Sequence, residues 1–301
     1  MSKEALVFHI IHGSFVDGYG IRTTVFLKGC PLRCIWCCNP ESQSFLPELK
    51  VTREHCNDCG NCVSVCPKQA VSLVDRIVQV DRDLCDGCMK CVDVCYTGAL
   101  EPFGEVMTTK QVFEIIRNDE MFYRNSGGGA TIGGGECTCH PEFMLELIDL
   151  CHDANIHVAV DTCGYAVSEQ SKEVLKAADL LLFDIKGIDP ARHLENTGKS
   201  NDVILENLRM LSDLRKPLII RIPVIPGYND SDENLAAVAD LLSELKSVER
   251  VDILPEHEFG RVKYEQLDKE YKLIPCAVSD KRQEEIRAMF EARGFHAQIG
   301  G

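Results

Sequence analysis

Eleven cysteines between positions 30 and 95 stand in three tight groups. The first is Cys30, Cys34 and Cys37, a C-x3-C-x2-C spacing inside KGCPLRCIWCCNPES. Three thiolates this close can grip three corners of a 4Fe–4S cube and leave the fourth iron without a protein ligand. An open position on a metal centre is where a substrate binds. The second group is Cys56, Cys59, Cys62 and Cys66, with Pro67 following; the third is Cys85, Cys88, Cys91 and Cys95. Both read C-x2-C-x2-C-x3-C, the bacterial ferredoxin spacing. Each third-group position lies 29 residues after its counterpart, and the match extends to Val63 with Val92, Val65 with Val94 and Ala70 with Ala99. This is an internal repeat. In two-cluster ferredoxins the fourth cysteine crosses over, which assigns Cys56, Cys59, Cys62 and Cys95 to one cluster and Cys66, Cys85, Cys88 and Cys91 to the other. Tyr96 stands where the second copy would carry the proline. Zinc is the competing occupant, and the paired ferredoxin spacing disfavours it.

The total is 17 cysteines, an odd number. A disulfide scaffold explains it poorly in a chain expected in the reducing cytoplasm. Outside the three groups are Cys38, Cys137, Cys139, Cys151, Cys163 and Cys276. A lone cysteine is usually a small buried apolar residue, and mid-helix Cys151 is expected to be one. Cys38, Cys137, Cys139 and Cys163 fall in loops near the expected chemistry, and their roles stay open.

These cysteines need a scaffold. Apolar runs predict strands over 23–27, 130–132, 156–160, 180–183, 218–222, 251–254 and 297–299. Amphipathic stretches between them predict helices over 109–117, 141–154, 169–178, 202–214, 232–245 and 280–293, with Ser231 and Ser279 as N-caps and Gly294 as a C-terminal stop. Strand–helix alternation at this spacing reads as a parallel α/β sheet with right-handed crossovers. An open sheet and a partial barrel fit it equally.

Charged residues mark the strand ends: Asp161 and Thr162 after HVAV, Asp184 and Lys186 after LLLF, Arg221 in LIIRIP, Glu256 and His257 in VDILPEH. In parallel α/β folds a site forms at the C-terminal ends of the strands. The first cysteine group follows the strand at 23–27 and lands on the same face. Singly, each charge could be a solvated loop residue; four strand ends together favour a site. SGGGATIGGGE, residues 126–136, is glycine-rich, which permits close ligand approach. It matches neither the Walker nor the dinucleotide pattern.

The chain has 301 residues, 45% of them apolar, enough for one large domain with a smaller insert. Its formal net charge is −15 (32 Lys and Arg against 47 Asp and Glu), which argues against nucleic acid or an anionic membrane as partner. No apolar run reaches bilayer-spanning length, and no secretory signal is expected. The division expected is 1–50 with the catalytic loop, 51–103 as insert, and 104–301 as the remainder.

The C-x3-C-x2-C loop after the first strand resembles the radical S-adenosylmethionine (SAM) superfamily. DGYGIRTTVFLKGCPLRCIWCCNPES, Gly134–Gly135–Glu136, DTCGY, DIK, IRIPVIPGYND and LPEHEFGRVKY narrow this. Together, from about Val7 to the C-terminus, they resemble the activating enzymes of glycyl-radical enzymes, in the longer branch with a two-cluster ferredoxin-like insert. The partners of that branch include glycerol dehydratase, benzylsuccinate synthase, arylacetate decarboxylases and choline lyase. The resemblance implies a partial (β/α)6 TIM-like barrel in which Cys30, Cys34 and Cys37 hold the catalytic cluster. SAM chelates its open iron. Trp36 and Cys38 flank the adenosyl part, and Gly134, Gly135 and Glu136 meet the amino group of the methionine part. Asp184, Ile185 and Lys186 line the site, and Arg221 and His257 close it. Asp161, Thr162 and Asp184 match positions that also hold a monovalent cation. Three positions differ from the family pattern: Tyr19 and Cys137 replace prolines, and Cys139 adds a thiol.

The implied activity is reductive cleavage of SAM, with the 5′-deoxyadenosyl radical taking an α-hydrogen from a glycine of a partner protein. Three 4Fe–4S clusters, SAM and an electron donor such as flavodoxin or ferredoxin are implied with it, in an anaerobic cytoplasm. The competing function is a radical SAM enzyme acting on a small molecule. A plain electron-transfer ferredoxin leaves the three-cysteine group unexplained.

Overall fold

The computed structural model describes residues 2–273 and 277–301; Cys276 lies outside them. Among these residues the strands are, in order, β1 (Glu4–Ser14), β2 (Arg22–Leu27), β3 (Glu48–Val51), β4 (Val71–Val74), β5 (Ile77–Val80), β6 (Leu100–Phe103), β7 (Glu105–Thr108), β8 (Gly129–Gly134), β9 (His157–Thr162), β10 (Leu180–Asp184), β11 (Leu218–Val224), β12 (Val248–Pro255) and β13 (Ala297–Ile299). Nine form one sheet in the order β13-β12-β11-β10-β9-β8-β2-β1-β7. Neighbours from β2 to β13 are parallel, whereas β1 and β7 add antiparallel at one edge.

The parallel strands follow chain order without a reversal. A doubly wound sheet reverses its order at a switch point; right-handed crossovers that all step the same way put every helix on one face. This decides between the two architectures left open by the pattern, in favour of a barrel wall, with β13 as a short seventh parallel strand. The two end strands, β13 and β7, are not paired with each other. All seven expected strands and all six expected helices form. Ser231 and Ser279 cap their helices by accepting from the N–H of Asn234 and Arg282. The sequence pattern did not reveal β1, β7 or the helices Glu120–Ser126, Pro190–Thr197 and Arg261–Gln266.

Side-chain alternation explains both faces of the wall. Leu181, Phe183 and Ile185 pack against the helices, in one core with Val25, Ile132, Val160, Ile220 and Ile253. Leu180 and Leu182 face the other way, into a small inner cluster with Ala159 and Ile219. Continuing that inner parity by two residues gives Asp184, Asp161 and Arg221, and by four gives Lys186. The barrel lumen is apolar at its base and charged at its mouth for this reason. Cys151 is fully buried in the helix Pro141–Asp153.

Residues 48–103 form two further small sheets. β3 and β6 pair antiparallel, Glu48 opposite Phe103 and Val51 opposite Leu100, and β4 pairs with β5 in a hairpin. This region has its own core of Leu49, Val51, Cys62, Val71, Val78, Val80, Cys91 and Leu100. The 29-residue repeat recurs in the backbone: positive φ occurs at Asp58 and Gly87, at Gly60 and Met89, and at Gln69 and Gly98. Among the described residues no helix is long and apolar enough to cross a membrane.

Candidate active site

A cavity of about 330 Å³ opens at the C-terminal ends of the parallel strands. The loop after β2 brings Cys30, Cys34, Trp36, Cys37 and Cys38; β8 brings Gly134 and Gly135; β9 brings Asp161, Thr162 and Cys163. β10 contributes Asp184 and Lys186, β11 contributes Arg221, and the segment after β12 contributes Glu256 and His257. His257 sits exposed at the rim, its ring stacked on Phe259 at 4.5 Å.

The charges pair across strand ends. Lys186 Nζ lies 2.7 Å from Asp184 Oδ2, and Arg221 Nη1 lies 3.2 Å from Asp161 Oδ2. Burial alone would push Lys186 down, but Asp184 and the nearby thiols hold its ammonium well above the ordinary value. The same balance, burial against Asp161, Asp184 and Asp17, keeps Arg221 charged. Burial, and then Asp184 and Asp17, push the Asp161 carboxyl up to about 7 against the pull of Arg221. Two polar atoms of the cavity have no partner: Arg221 Nε and Glu256 Oε1 are buried without a hydrogen bond. Each such group costs about 1–3 kcal/mol. A ligand with both donors and acceptors, such as the amino acid part of SAM, fits them.

Two expected residues are placed differently. Glu136 is fully buried, and both its oxygens are engaged by the chain's own donors. Oε1 accepts from the N–H and hydroxyl of Thr138, and Oε2 from the N–H and thiol of Cys163; Thr162 Oγ1 donates to both. Its carboxylate holds the loop between β8 and β9, and Glu136 is not among the residues that line the cavity. Ile185 points into the helix-side core, because it has the opposite parity to Asp184 and Lys186. Gly134 and Gly135 do border the cavity. A Cβ on Gly135 would stand 2.4 Å from the Gly29 carbonyl oxygen, so the cysteine loop seats directly on the glycine turn.

Residues distant in sequence hold the cysteine loop. Arg33 N–H donates to Thr197 O at 2.7 Å and Ile35 N–H to Asn196 O at 3.0 Å. From the other side, Tyr264 OH donates to the Cys37 carbonyl at 3.1 Å, and Lys263 Nζ reaches Asn39 Oδ1 at 2.7 Å and Glu41 Oε1 at 2.6 Å. Gly260 packs so close that a Cβ would lie 2.9 Å from Cys38 Cα. The same short segment grips residues 48–103: Asp268 receives Arg53 and, at 2.8 Å, Arg82, while Lys269 meets Glu48 at 3.0 Å. Burial pushes the Cys30 thiol to about 11 and Cys34 to about 12.

Two further hollows lie in residues 48–103. Cys56, Cys59, Cys62 and Cys95 line one; Cys66, Cys85, Cys88 and Cys91 line the other. Among the described residues, no three His, Cys, Asp or Glu converge tightly enough to hold a single metal ion.

Residues 24–239 match the model of the radical SAM superfamily. The trans-4-hydroxy-L-proline dehydratase activating enzyme of Clostridioides difficile is 45% identical over 98% of this chain and 99% of its own length. The chain belongs to the glycyl-radical-enzyme activating enzymes of the radical SAM superfamily. The choline trimethylamine-lyase activating enzyme of Oleidesulfovibrio alaskensis is 38% identical over 99% of both chains. In fold, this activating enzyme is similar to Streptococcus suis SuiB, with a TM-score of 0.52 at 16% identity over 64% of this chain and 43% of that one. Sequence reasoning missed three of its site residues. Asp17 lines the cavity, faces Arg221 at 3.9 Å, and accepts from Ser14 at 2.6 Å and Thr24 at 2.8 Å. It lies in a quoted motif, DGYGIR, but not at a strand end. Lys263 and Tyr264 also lie in a quoted motif, LPEHEFGRVKY, yet only the fold shows what they touch.

Proposed function

We propose that this activating enzyme installs a glycyl radical on a partner glycyl-radical enzyme. The observation that carries this is one cavity in which a three-cysteine loop faces paired charges from three successive strand ends. When bound there, a 4Fe–4S cluster and SAM supply a 5′-deoxyadenosyl radical, which takes an α-hydrogen from a glycine of the partner. Cys30, Cys34 and Cys37 would hold the cluster. Trp36 and Cys38 would flank the adenosyl part, and the Gly134–Gly135 turn would meet the methionine part. Arg221 Nε and Glu256 Oε1 have free hydrogen-bonding capacity for its polar groups, and His257 borders the opening. Asp161, Thr162 and Asp184 are assigned a monovalent cation, sharing the two carboxylates with Arg221 and Lys186.

Residues 51–103 are assigned a ferredoxin-like insert with two more 4Fe–4S clusters. The four cysteines lining each hollow support the crossed assignment. All eight thiols are used there, so neither cluster offers an open iron. Electron relay from a donor such as flavodoxin or ferredoxin, shaping of the surface that receives that donor, and stapling of the insert are the roles open to them, in an anaerobic cytoplasm without nucleic acid or membrane partners.

The test is anaerobic. Reduced, iron-loaded enzyme is mixed with SAM and the glycyl-radical enzyme encoded beside it, frozen, and examined by paramagnetic resonance. A glycyl-radical doublet on the partner with release of 5′-deoxyadenosine is expected. SAM cleavage with no radical on any such partner would transfer the function to a small-molecule substrate.

A further inference from the structure

The barrel wall has a strand edge that the chain leaves uncovered. β7 pairs with β1 only over Glu4–Val7. From Val7 to Ser14, β1 pairs with β2 on its other side. Among the described residues, no further strand adjoins β1, and no backbone group outside this sheet bonds to residues 8–13. At about 3.3 Å per residue this is roughly 20 Å of free edge. Proteins usually blunt such edges with lysine or proline; the sequence here, FHIIHG, holds neither.

A cleft of about 830 Å³ is bordered by this strand. Phe8, His9 and Ile11 form one wall, and β6, ending in Phe103, lines another. Phe26 and Asn39 border both the cleft and the catalytic cavity, so the cleft leads to the chemistry. Glu41, which also lines it, is 2% exposed; Lys263 holds its Oε1, while Oε2 is buried without any donor. A carboxylate oxygen in that state is costly unless a donor arrives from outside the chain.

We propose that the glycine-bearing segment of the partner enters as an added strand on the free edge of β1, with one of its N–H groups donated to Glu41 Oε2. This rests on the activating function proposed above. Strand addition uses the partner's backbone for affinity and pockets for alternate side chains. The edge supplies the backbone groups, and Phe8, Ile11 and Phe103 supply apolar pockets. A small molecule would use little of a 20 Å edge.

Hydrogen exchange tests this on the iron-loaded enzyme with SAM. The probe is a peptide of about fifteen residues copied from the glycine loop of whichever partner acquires the radical. Protection by about tenfold or more of the amides among 8–13 that point away from β2 is expected when the peptide binds. In Ile11→Lys, a charge enters the cleft wall, and peptide affinity falls at least about tenfold; iron content is measured alongside to show that the variant is loaded. Peptide that binds while amides 8–13 exchange as before overturns the proposal, and so does wild-type affinity in a loaded Ile11→Lys enzyme. If the wild type cleaves SAM but no partner ever acquires a radical, the activating function itself fails instead.

Discussion

The two cysteine-bearing regions are built by opposite strategies. The eight thiols of residues 48–103 are organised locally, by a repeat whose left-handed turns recur every 29 residues. Cys59 and Cys88 reach the surface, and only eight residues, two of them cysteines, form the local core. The three thiols of the barrel loop have no repeat behind them. Their backbone is held by Asn196, Thr197 and Tyr264, the last 227 residues away. Local spacing suffices for the centres closed by four cysteines that are proposed above. A centre with one position left open needs the rest of the fold to say what stands opposite it.

Cutting one region without the other gives the largest effect. Replacing Cys30, Cys34 and Cys37 together with Ala should abolish SAM cleavage while about eight of about twelve irons remain, counted after anaerobic reconstitution. Residual cleavage in that variant would move the catalytic centre elsewhere. Iron removal should separate the regions in stability. A core of eight residues is too small to stand alone, so limited proteolysis of the metal-free chain should cut first within 48–103 and spare the barrel. First cleavage in the barrel would show that the clusters are not what holds that region together.

Smaller changes sharpen the contrast. Lys186→Met removes a buried cation, and the loss of one charge-assisted interaction, roughly 1.5–3 kcal/mol, should weaken SAM binding on the order of tenfold to a hundredfold with all clusters present. An unchanged dissociation constant would retire its role. Tyr264→Phe deletes one hydrogen bond, on the order of 1 kcal/mol. It should alter the paramagnetic signal of the SAM-binding cluster and leave the signals of the other two unchanged. A shift in all three would mean a general loosening. The smallest effect is kinetic. Thiols react as thiolates, and burial raises Cys30 to about 11 and Cys34 to about 12 from an ordinary 9.0. In metal-free protein at pH 8 both should alkylate more slowly than exposed Cys59 and Cys88. Their rates should climb as pH rises through 9 to 11, because deprotonation lags behind that of a free thiol. Equal rates at pH 8 would mean that the barrel thiols are solvated.

The sequence by itself determined the seven parallel strands, six of the helices and the caps at Ser231 and Ser279, since each follows from the period of apolar residues and from local hydrogen bonding. It also determined which charges share a face: Asp184 and Lys186 lie two apart on an extended segment, and alternation sends both inward. Only the tertiary structure decided the rest. A partial barrel and an open sheet have the same alternation of elements, and strand order tells them apart. Only the fold shows that Glu136, beside its glycines, is buried under the donors of Thr162 and Cys163, 26 and 27 residues on. Asp17 and Tyr264 carry no periodic signal, because their contacts are with strands and loops that meet them only after folding. The free edge of β1 is likewise invisible in one dimension: a strand's composition does not say where its neighbour stops.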